Sequence, residues 1–486
     1  MSAASNEVII LIAQQLQSQP DLAALVQVNC RLNHLIKHIL YRYNLQKRNG
    51  DGILRAARLG STPAVVQFVK EGYPVEDRPI HAEEHPRPGS PRWGPCLCRL
   101  EHPILCAAEY GHSELVEYLL RVGSEPDFEN NLGETPMHLA SKNGFLSVIK
   151  ILLEKGCSIP FLMDTDTKFT LAPIKEAALK GHTHVVEHLL ACAPSPRDYA
   201  SSTLPFAAIS GDRALVSMLL GHGADINYTY IESHAPRMAL YPHDERGHVL
   251  TALSVAARLG HLDLVTFLLA NDSDVKVTMG ASSLWETALY LAISEGHEEV
   301  VQVLLAHGAD VEGGHISAAI EQRKNKSLEM LLTKYRTENY QTNFLALAAE
   351  AGDTEIFQIL FDKGFQDQEK AFLKAIECGQ KEIVVLLLSW GTDPDLPTLL
   401  ECAIGKTIAH RDAGIMELLL RHGAHIYPET LRSAKTFAPG HIAKLAEQFP
   451  VHSLKKTAMY PSIYQPSGQG WRSWDSDWGS TQRRLW

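Results

Sequence analysis

Apolar residues recur along this chain in a pattern that repeats about every 33 residues. The recurring element is a turn residue, usually Gly, followed by a segment whose apolar residues are spaced three and four apart. Such spacing places the apolar side chains on one face of a helix, so each copy predicts a short helix with one buried face. Clear copies start at Gly111, Gly144, Gly181, Gly211, Gly260, Gly296 and Gly379, and weaker copies start at Gly60, Arg323, Gly352 and Arg411.

A second, alanine-rich helix is predicted just before most of these turns. Examples are ILCAAEY before Gly111, IKEAALK before Gly181 and LALAAEA before Gly352. Alanine lets neighbouring helices approach closely, and Gly adopts the left-handed backbone of a tight turn without a clash at Cβ. The sequence therefore predicts an all-α solenoid of about eleven units, each consisting of a helix, a turn, a second helix and a loop.

The repeat pattern also sets the predicted boundaries. The array is predicted over residues 50–426, and two insertions rich in Pro, His and aromatic residues, 76–101 and 228–249, lack helical or strand periodicity and are predicted to be long loops. In repeat proteins such insertions often lie on the binding face. Residues 427–454 predict a final helix pair that caps the array, and the Trp-, Ser- and Arg-containing tail 455–486 has no apolar periodicity and is predicted to be disordered.

One unit carries a more specific signature. The segment ETPMHLASKNGFLSVIKILLEKG, residues 134–156, resembles an ankyrin repeat, with Thr135-Pro136-Met137-His138-Leu139-Ala140 in the place of the family motif T-P-L-H-x-A. The tails GHGADIN and AHGADVE, which start at Gly221 and Ala306, also resemble the family. The resemblance covers about residues 50–450 and implies an array that binds proteins by surface shape. From about residue 313 the units shorten, which leaves little room for the hairpins that project from typical ankyrin repeats.

The charge distribution argues against a nucleic-acid partner. Residues 1–50 and 455–486 each carry five Lys or Arg and two Asp or Glu, so the segment between them has a net charge of −17 in a chain whose total is −11. Such an acidic array would repel a phosphate backbone. The longest apolar runs are too short to span a bilayer. Cys106, Cys192, Cys378 and Cys402 lie in apolar helical runs, which is typical of reduced, buried thiols. We therefore expect no membrane partner and a cytoplasmic or nuclear location.

Candidate chemistry is sparse. Several histidines directly follow the turn glycine: His112, His182, His261 and His297. Their recurrence at one position of the repeat indicates a structural role, because a residue that recurs from unit to unit belongs to the architecture. The first insertion holds four weak candidates for zinc ligands: His81, His85, Cys96 and Cys98. The Cys-x-Cys spacing, however, does not supply the usual two-residue knuckle of a zinc site. No nucleophile, phosphate-loop or zinc-protease motif is present. We therefore predict no catalytic residue, no cofactor and no metal, with a metalloenzyme as a weak alternative.

The first 45 residues differ from the repeats and predict three short helices. They resemble an F-box, because Glu7-Val8-Ile9, Asp21-Leu22 and Cys30-Arg31 match its pattern, whereas Ala4-Ser5 stand where the family has Leu-Pro. An F-box before ankyrin units is a known arrangement in fungal proteins. The resemblance implies that this module binds the Skp1 adaptor of a cullin-RING ubiquitin ligase. The implied contact residues are Val8, Ile9, Ile12, Leu16, Leu22, Leu25, Val28 and Cys30.

These expectations combine into one functional prediction. The chain is predicted to be a substrate-receptor subunit that is a monomer alone, binds a Skp1-like adaptor through residues 1–45 and holds a protein target on the concave side of the array. Aromatic residues of the two insertions are predicted to help bind the target: Trp93, Tyr228, Tyr230 and Tyr241. The alternative is a scaffold in which the N-terminal helices only cap the array. The sequence does not indicate which protein is the target.

Overall fold

The computed structural model describes most of the repeat region. The described residues are 30–47, 51–75, 102–130, 132–157, 159, 171–232, 248–276, 287–335, 343–365, 367–390, 407, 410, 412–424, 426, 428–437 and 440–449. The chain divides into two compact units, one formed by residues 1–256 and 263–274 and the other by residues 257–262 and 275–486.

Short helices account for nearly all regular structure in the described residues, so the predicted all-α ankyrin-repeat fold is confirmed. In chain order the helices are α1 (Cys30–Lys47), α2 (Asp51–Arg58), α3 (Thr62–Lys70), α4 (Pro103–Glu109), α5 (Ser113–Arg121), α6 (Pro136–Lys142), α7 (Leu146–Glu154), α8 (Pro173–Leu179), α9 (Thr183–Ala191), α10 (Pro196–Ser210), α11 (Arg213–Gly221), α12 (Ala252–Arg258), α13 (Leu262–Ala270), α14 (Ala288–Glu295), α15 (Glu298–Ala306), α16 (Gly313–Glu321), α17 (Asn325–Lys334), α18 (Phe344–Ala351), α19 (Thr354–Asp362), α20 (Gln368–Glu377), α21 (Lys381–Ser389), α22 (Ala413–Arg421), α23 (Pro428–Phe437) and α24 (Gly440–Glu447).

The turn between the two helices of a repeat has the predicted left-handed backbone. All nine glycines predicted at this position have positive φ, from 68° at Gly60 to 87° at Gly296. Arg323 takes the same place with φ 53°, although a residue with a Cβ is strained there. Where an aspartate precedes the second helix, its side chain caps that helix, as where the Asp353 carboxylate accepts the Glu355 and Ile356 backbone N–H groups at 3.0 and 3.1 Å.

The core lies between stacked helices and uses the predicted residue types. First helices contribute alanines that are fully excluded from solvent, such as Ala107, Ala140 and Ala177, and second helices contribute branched side chains such as Leu119 and Leu152. The first helices of neighbouring repeats pack directly on one another, as α4 does on α6 and α6 on α8. Small side chains make that close approach possible, because a larger residue would push the helix axes apart.

The first described helix belongs to the predicted N-terminal module and packs on the array. Helix α1 lies against both α2 and α3. The Tyr41 and Phe68 rings meet edge to face at 4.4 Å, and the buried Asn44 side chain accepts the Gly52 backbone N–H at 2.9 Å. The structure therefore joins the end of the module to the first repeat through apolar and hydrogen-bonded contacts.

The second insertion differs from the prediction at its two ends. The prediction had no strand there, but β1 (Tyr230–Glu232) pairs antiparallel with β2 (His248–Leu250), with Tyr230 opposite Leu250. Three-residue strands are too short to show alternation in a sequence, and their pairing depends on contacts made by the residues at their base. The ends of the 228–249 insertion are therefore held together as a ribbon.

In the second unit the loops between repeats are short. Only six residues separate α15 from α16, and five separate α19 from α20, which agrees with the shortened spacing of the sequence after residue 313. Helices α23 and α24 occupy the stretch predicted as a final pair, and Ile442 and Ala446 of α24 are buried.

Two of the four cysteines predicted to be buried thiols do not lie in the core. Cys106 is buried, but Cys192 and Cys378 are exposed, because each occupies the C-cap position of its helix, where the side chain leaves the apolar face. Cys402 lies outside the described residues. The prediction of burial was therefore wrong for Cys192 and Cys378.

Candidate protein-binding surface

The histidines that follow the turn glycines hold consecutive repeats together. The Nε2 atoms of His112, His182 and His297 donate to the carbonyl oxygens of Arg58, Lys142 and Arg258, at 2.8, 3.1 and 2.9 Å. Each accepting carbonyl lies at or near the C-terminal end of the preceding first helix, where backbone carbonyls lack helical partners. The structural role predicted for these three residues is confirmed.

The same ring explains why the preceding turn must be glycine. A Cβ on Gly60 would lie 2.5 Å from the His112 ring, and a Cβ on Gly144 would lie 2.8 Å from the His182 ring. Two features therefore require glycine at this turn: its backbone has positive φ, and the side chain stacked on it from the next repeat leaves no room for a Cβ. These histidines are used by the fold and are not available to a ligand.

Buried histidines cap the first helices. His138 Nδ1 accepts the Thr135 backbone N–H at 3.2 Å, and His315 Nδ1 accepts the Glu312 backbone N–H at 3.1 Å. At His102 the ring accepts the Ile104 backbone N–H at 3.3 Å and stacks on Phe128. Burial lowers the pKa of both His102 and His315 to about 4, so both rings are neutral at pH 7 and serve as hydrogen-bond acceptors at helix N-termini.

The predicted target-binding aromatics fall in different environments. Tyr230 is 8% exposed and packs edge to face on Phe206 at 5.0 Å, and the buried Lys175 ammonium lies 4.8 Å from the Tyr230 ring centroid. Tyr230 therefore belongs to the core at the base of the β1–β2 ribbon, which conflicts with a direct role in binding a target. Tyr228 is half-buried, and Trp93 and Tyr241 lie outside the described residues.

Most other predicted site residues also lie outside the described residues. They include the zinc candidates His81, His85, Cys96 and Cys98, and the adaptor-contact residues Val8, Ile9, Ile12, Leu16, Leu22, Leu25 and Val28. Of that set only Cys30 is described, through its backbone, as the first residue of α1. Within the described part of the chain, no group of three His, Cys, Asp or Glu residues is arranged to hold a metal ion.

Two exposed apolar side chains occupy the same position in consecutive repeats. Leu59 and Tyr110 directly follow α2 and α4, immediately before the turn glycine, and are 71% and 51% exposed. Helices α2 and α4 pack side by side, so both residues lie on the same face of the first two described repeats. Among the described residues, Val385, at 43%, is the other large apolar side chain classed as exposed. We call Leu59 and Tyr110 the anchor pair.

Equivalent positions in the other described repeats are not exposed and apolar. Leu259 is half-buried, and the rest are polar, charged, small or a thiol: Asn143, Lys180, Ser210, Glu295, Gln322, Ala351 and Cys378. In the second unit, charged side chains at or near these positions form ion pairs: Arg258 pairs with Glu295 at 3.3 Å, and Lys374 pairs with Glu350 at 3.2 Å. At the position before the turn, exposed large apolar side chains are therefore confined to the first two described repeats.

A groove of about 290 Å³ adjoins Leu59. Its apolar lining comes from α1, α2 and α3 and includes Leu40, Tyr41 and Phe68, with Arg55 among its polar residues. The groove exists because α1 packs on the first repeat, so its shape depends on both elements. Leu59 lines the groove, whereas Tyr110 lies outside its lining, on the neighbouring repeat. Exposed apolar side chains on a concave apolar surface and next to it are typical of a protein-binding site, in which Tyr is a frequent hot-spot residue.

Sequence reasoning missed this surface because exposure was not predicted position by position. Part of the signal was present: the residue before each turn glycine is polar or small in most repeats but is Leu at 59 and 259 and Tyr at 110, and the sequence does not show that Leu259 alone of the three is half-buried. The buried Lys175 was also missed, since its environment is created by Phe206 and Tyr230, which lie 31 and 55 residues away in the sequence.

Comparison with known proteins supports the repeat assignment. A family model described as ankyrin repeats matches residues 53–162 and 238–313. The ankyrin repeat and KH domain-containing protein mask-1 of Caenorhabditis elegans is 34% identical over 208 residues, which is 42% of this chain and 7% of that protein. The ankyrin repeat protein nuc-2 of Neurospora crassa is 34% identical over 123 residues, 25% of this chain and 11% of that protein.

The chain thus spans a small part of the length of the relatives it matches. Among its described residues, no helix combines the length and apolar character needed to cross a bilayer. The regular turns, the capping histidines, the stacked helices and the family match agree with one another, and the chain therefore contains ankyrin repeats.

Proposed function

We propose that this chain is a receptor that binds a protein target through the anchor pair and the adjoining groove. The observation that carries the proposal is the exposure of Leu59 and Tyr110 at matched positions of adjacent repeats. Exposed large apolar residues cost solubility, and two of them at matched positions of packed repeats are typical of an interface core. In this proposal the chain makes and breaks no covalent bond.

The polar groups of the repeats support a binding role over a chemical one. The turn histidines, which recur between repeats, and the Thr135-Pro136-Met137-His138 segment are engaged in hydrogen bonds within the array. What the described array offers to a partner is shape, apolar area and charge. Ankyrin surfaces bind proteins in this way, because a rigid stack presents side chains without losing conformational entropy on binding.

The test compares partners captured by three forms of the full chain. Leu59→Ser with Tyr110→Ser removes the anchor pair, and Val385→Ser is the matched control, since it removes the other exposed large apolar side chain of the described residues. We expect quantitative proximity labelling to show a set of proteins that is lost at least fivefold with the double variant and retained with the control. Equal labelling by all three forms would refute a binding role for the anchor pair.

A second candidate function concerns the N-terminal segment. We propose that residues 1–45 bind a Skp1-like adaptor, so that the chain would be the substrate receptor of a ubiquitin ligase. The residue match to the F-box pattern supports this proposal. It is also supported by the packing of α1 on α2 and α3, since a rigid junction fixes a target relative to the adaptor. The competing scaffold proposal interprets the same packing as a simple cap.

Co-expression with Skp1 separates these two proposals. The receptor proposal predicts a stable complex that survives size-exclusion chromatography and is lost with Ile12→Asp plus Leu25→Asp. The scaffold proposal predicts no complex. Because a charge in a small core can unfold it, circular dichroism checks that the variant keeps its helicity. A complex that forms equally well with the double variant would contradict adaptor binding through this segment.

A further inference from the structure

The groove beside the anchor pair has a charge that differs in sign from that of the chain. Residues 30–75 contain eight Lys or Arg and two Asp or Glu, whereas the whole chain carries −11. One of the two acids, Glu71, is already paired with Arg42 at 3.3 Å, and its side chain is only 10% exposed. The described side chains of this stretch, residues 37–45 and 51–75, include five Lys or Arg and two Asp or Glu, so the described surface around the groove is basic within an acidic protein.

One basic side chain lines the groove, and a second lies near one of its lining residues. Arg55 is exposed, lines the groove and forms no ion pair with any described residue. Lys37 is exposed on α1, and its Nζ lies 5.9 Å from the centroid of the Tyr41 ring, which also lines the groove. Leu40, Tyr41, Leu59 and Phe68 supply most of the apolar part of the lining, which we call the floor. The groove thus combines an apolar floor with a cationic rim.

From this combination we infer that the groove takes an acidic peptide segment of the target protein, with a large apolar side chain on the floor and Asp or Glu beside Arg55 and Lys37. The inference rests on the proposed function, since it specifies the chemistry of the target segment. Apolar burial supplies affinity, while the opposite charges steer association and exclude basic segments. A nucleic acid would meet the same positive rim, but the acidic repeats that follow it would repel a phosphate backbone.

The test is a selection of random 12-residue peptides displayed on phage, with the purified full chain as bait. We expect the enriched peptides to carry a net negative charge of at least two and one large apolar residue in their central half. Peptides of neutral or basic composition, or no enrichment over a bait-free selection, would overturn the inference.

Variants then locate the binding site. With the most enriched peptide as a fluorescent probe, Arg55→Glu is expected to raise Kd at least tenfold, and Leu59→Ser at least fivefold. Lys70→Glu is the matched control, because Lys70 is exposed on α3 but does not line the groove; it is expected to change Kd less than threefold. Equal weakening by Arg55→Glu and Lys70→Glu would show a diffuse charge effect and refute the groove as the site.

Two further measurements complete the test. Raising NaCl from 50 to 300 mM is expected to raise Kd at least threefold, because salt screens exposed charges; an unchanged Kd contradicts a charged rim. A fluorescent single-stranded oligonucleotide of 20 thymidines is expected to bind at least tenfold more weakly than the peptide, and equal binding overturns the choice of a peptide. If proximity labelling depends on the anchor pair but the selected peptides are basic, this inference is refuted and the proposed function stands. If proximity labelling does not depend on the anchor pair either, the proposed function is refuted as well.

Discussion

Acidification is expected to destabilise each unit of the array by protonating a buried histidine whose pKa is lowered. His102 in the first unit and His315 in the second are each 1% exposed, and burial lowers the pKa of each to about 4. An unfolded histidine titrates near pH 6.5. Between these two values the unfolded state binds a proton that the folded state does not bind, so stability falls as pH falls.

The magnitude follows from the size of the shift. A separation of about 2.5 pKa units corresponds to about 3 kcal/mol for each histidine. This contribution is fully present above pH 6.5, falls as the pH is lowered towards 4 and changes little below 4, where both states are protonated. About 2 kcal/mol of it is lost between pH 7 and pH 5, a range that lies above most carboxylate titrations.

His315→Gln isolates the effect. Glutamine at this position keeps an acceptor for the Glu312 backbone N–H, as in a capping box, but has no proton to gain. Urea unfolding followed by circular dichroism at pH 7 and pH 5 is expected to show that the wild type loses about 2 kcal/mol more than the variant in the transition of the second unit. Equal losses in the two proteins would refute the reasoning, because the pH dependence would then arise elsewhere.

Three other substitutions test the packing. Gly144→Ala is expected to cost at least about 1 kcal/mol more than Gly156→Ala, since both have positive φ but only the former meets a ring, that of His182; equal costs in urea unfolding would contradict the stacked-histidine account. Tyr230→Ala is expected to destabilise the first unit by about 3 kcal/mol through lost aromatic packing, and a change below about 1 kcal/mol in thermal unfolding would place Tyr230 outside the core. Asn44→Ala is expected to lower the free energy of unfolding by about 1 to 2 kcal/mol, because it leaves the Gly52 N–H without its partner. The protease sensitivity of α1 measures that loss, and an unchanged digestion pattern would argue against α1 as a packed element.

The repeat architecture could be predicted because it depends on residues close together in the sequence. A turn glycine and an apolar stripe at helical spacing each act within about ten residues, so Gly60, Gly111 and Gly144 were correctly assigned to left-handed turns. The structural role of the turn histidines was also predictable, because their position recurs from one repeat to the next.

What could not be predicted depends on long-range contacts. The exposure of Leu59 and the burial of Tyr230 are decided by neighbours from other repeats, and nothing adjacent in the sequence reports them. Cys192 and Cys378 illustrate the same limit at shorter range, since a shift of one position past the helix end changes a buried thiol into an exposed one. The sequence showed which residues precede the turn glycines, but it did not show which of them are exposed or that a groove lies beside them.

Site-specific photocrosslinking tests the central claim most directly, that the anchor pair contacts a protein target. A benzophenone amino acid is placed at position 110 or, as the control, at position 385 of the full chain, and cells are irradiated before purification under denaturing conditions. We expect a discrete covalent adduct with another protein from position 110 and none of the same mass from position 385. Identical adducts from both positions, or no adduct from position 110, would contradict the proposed binding surface.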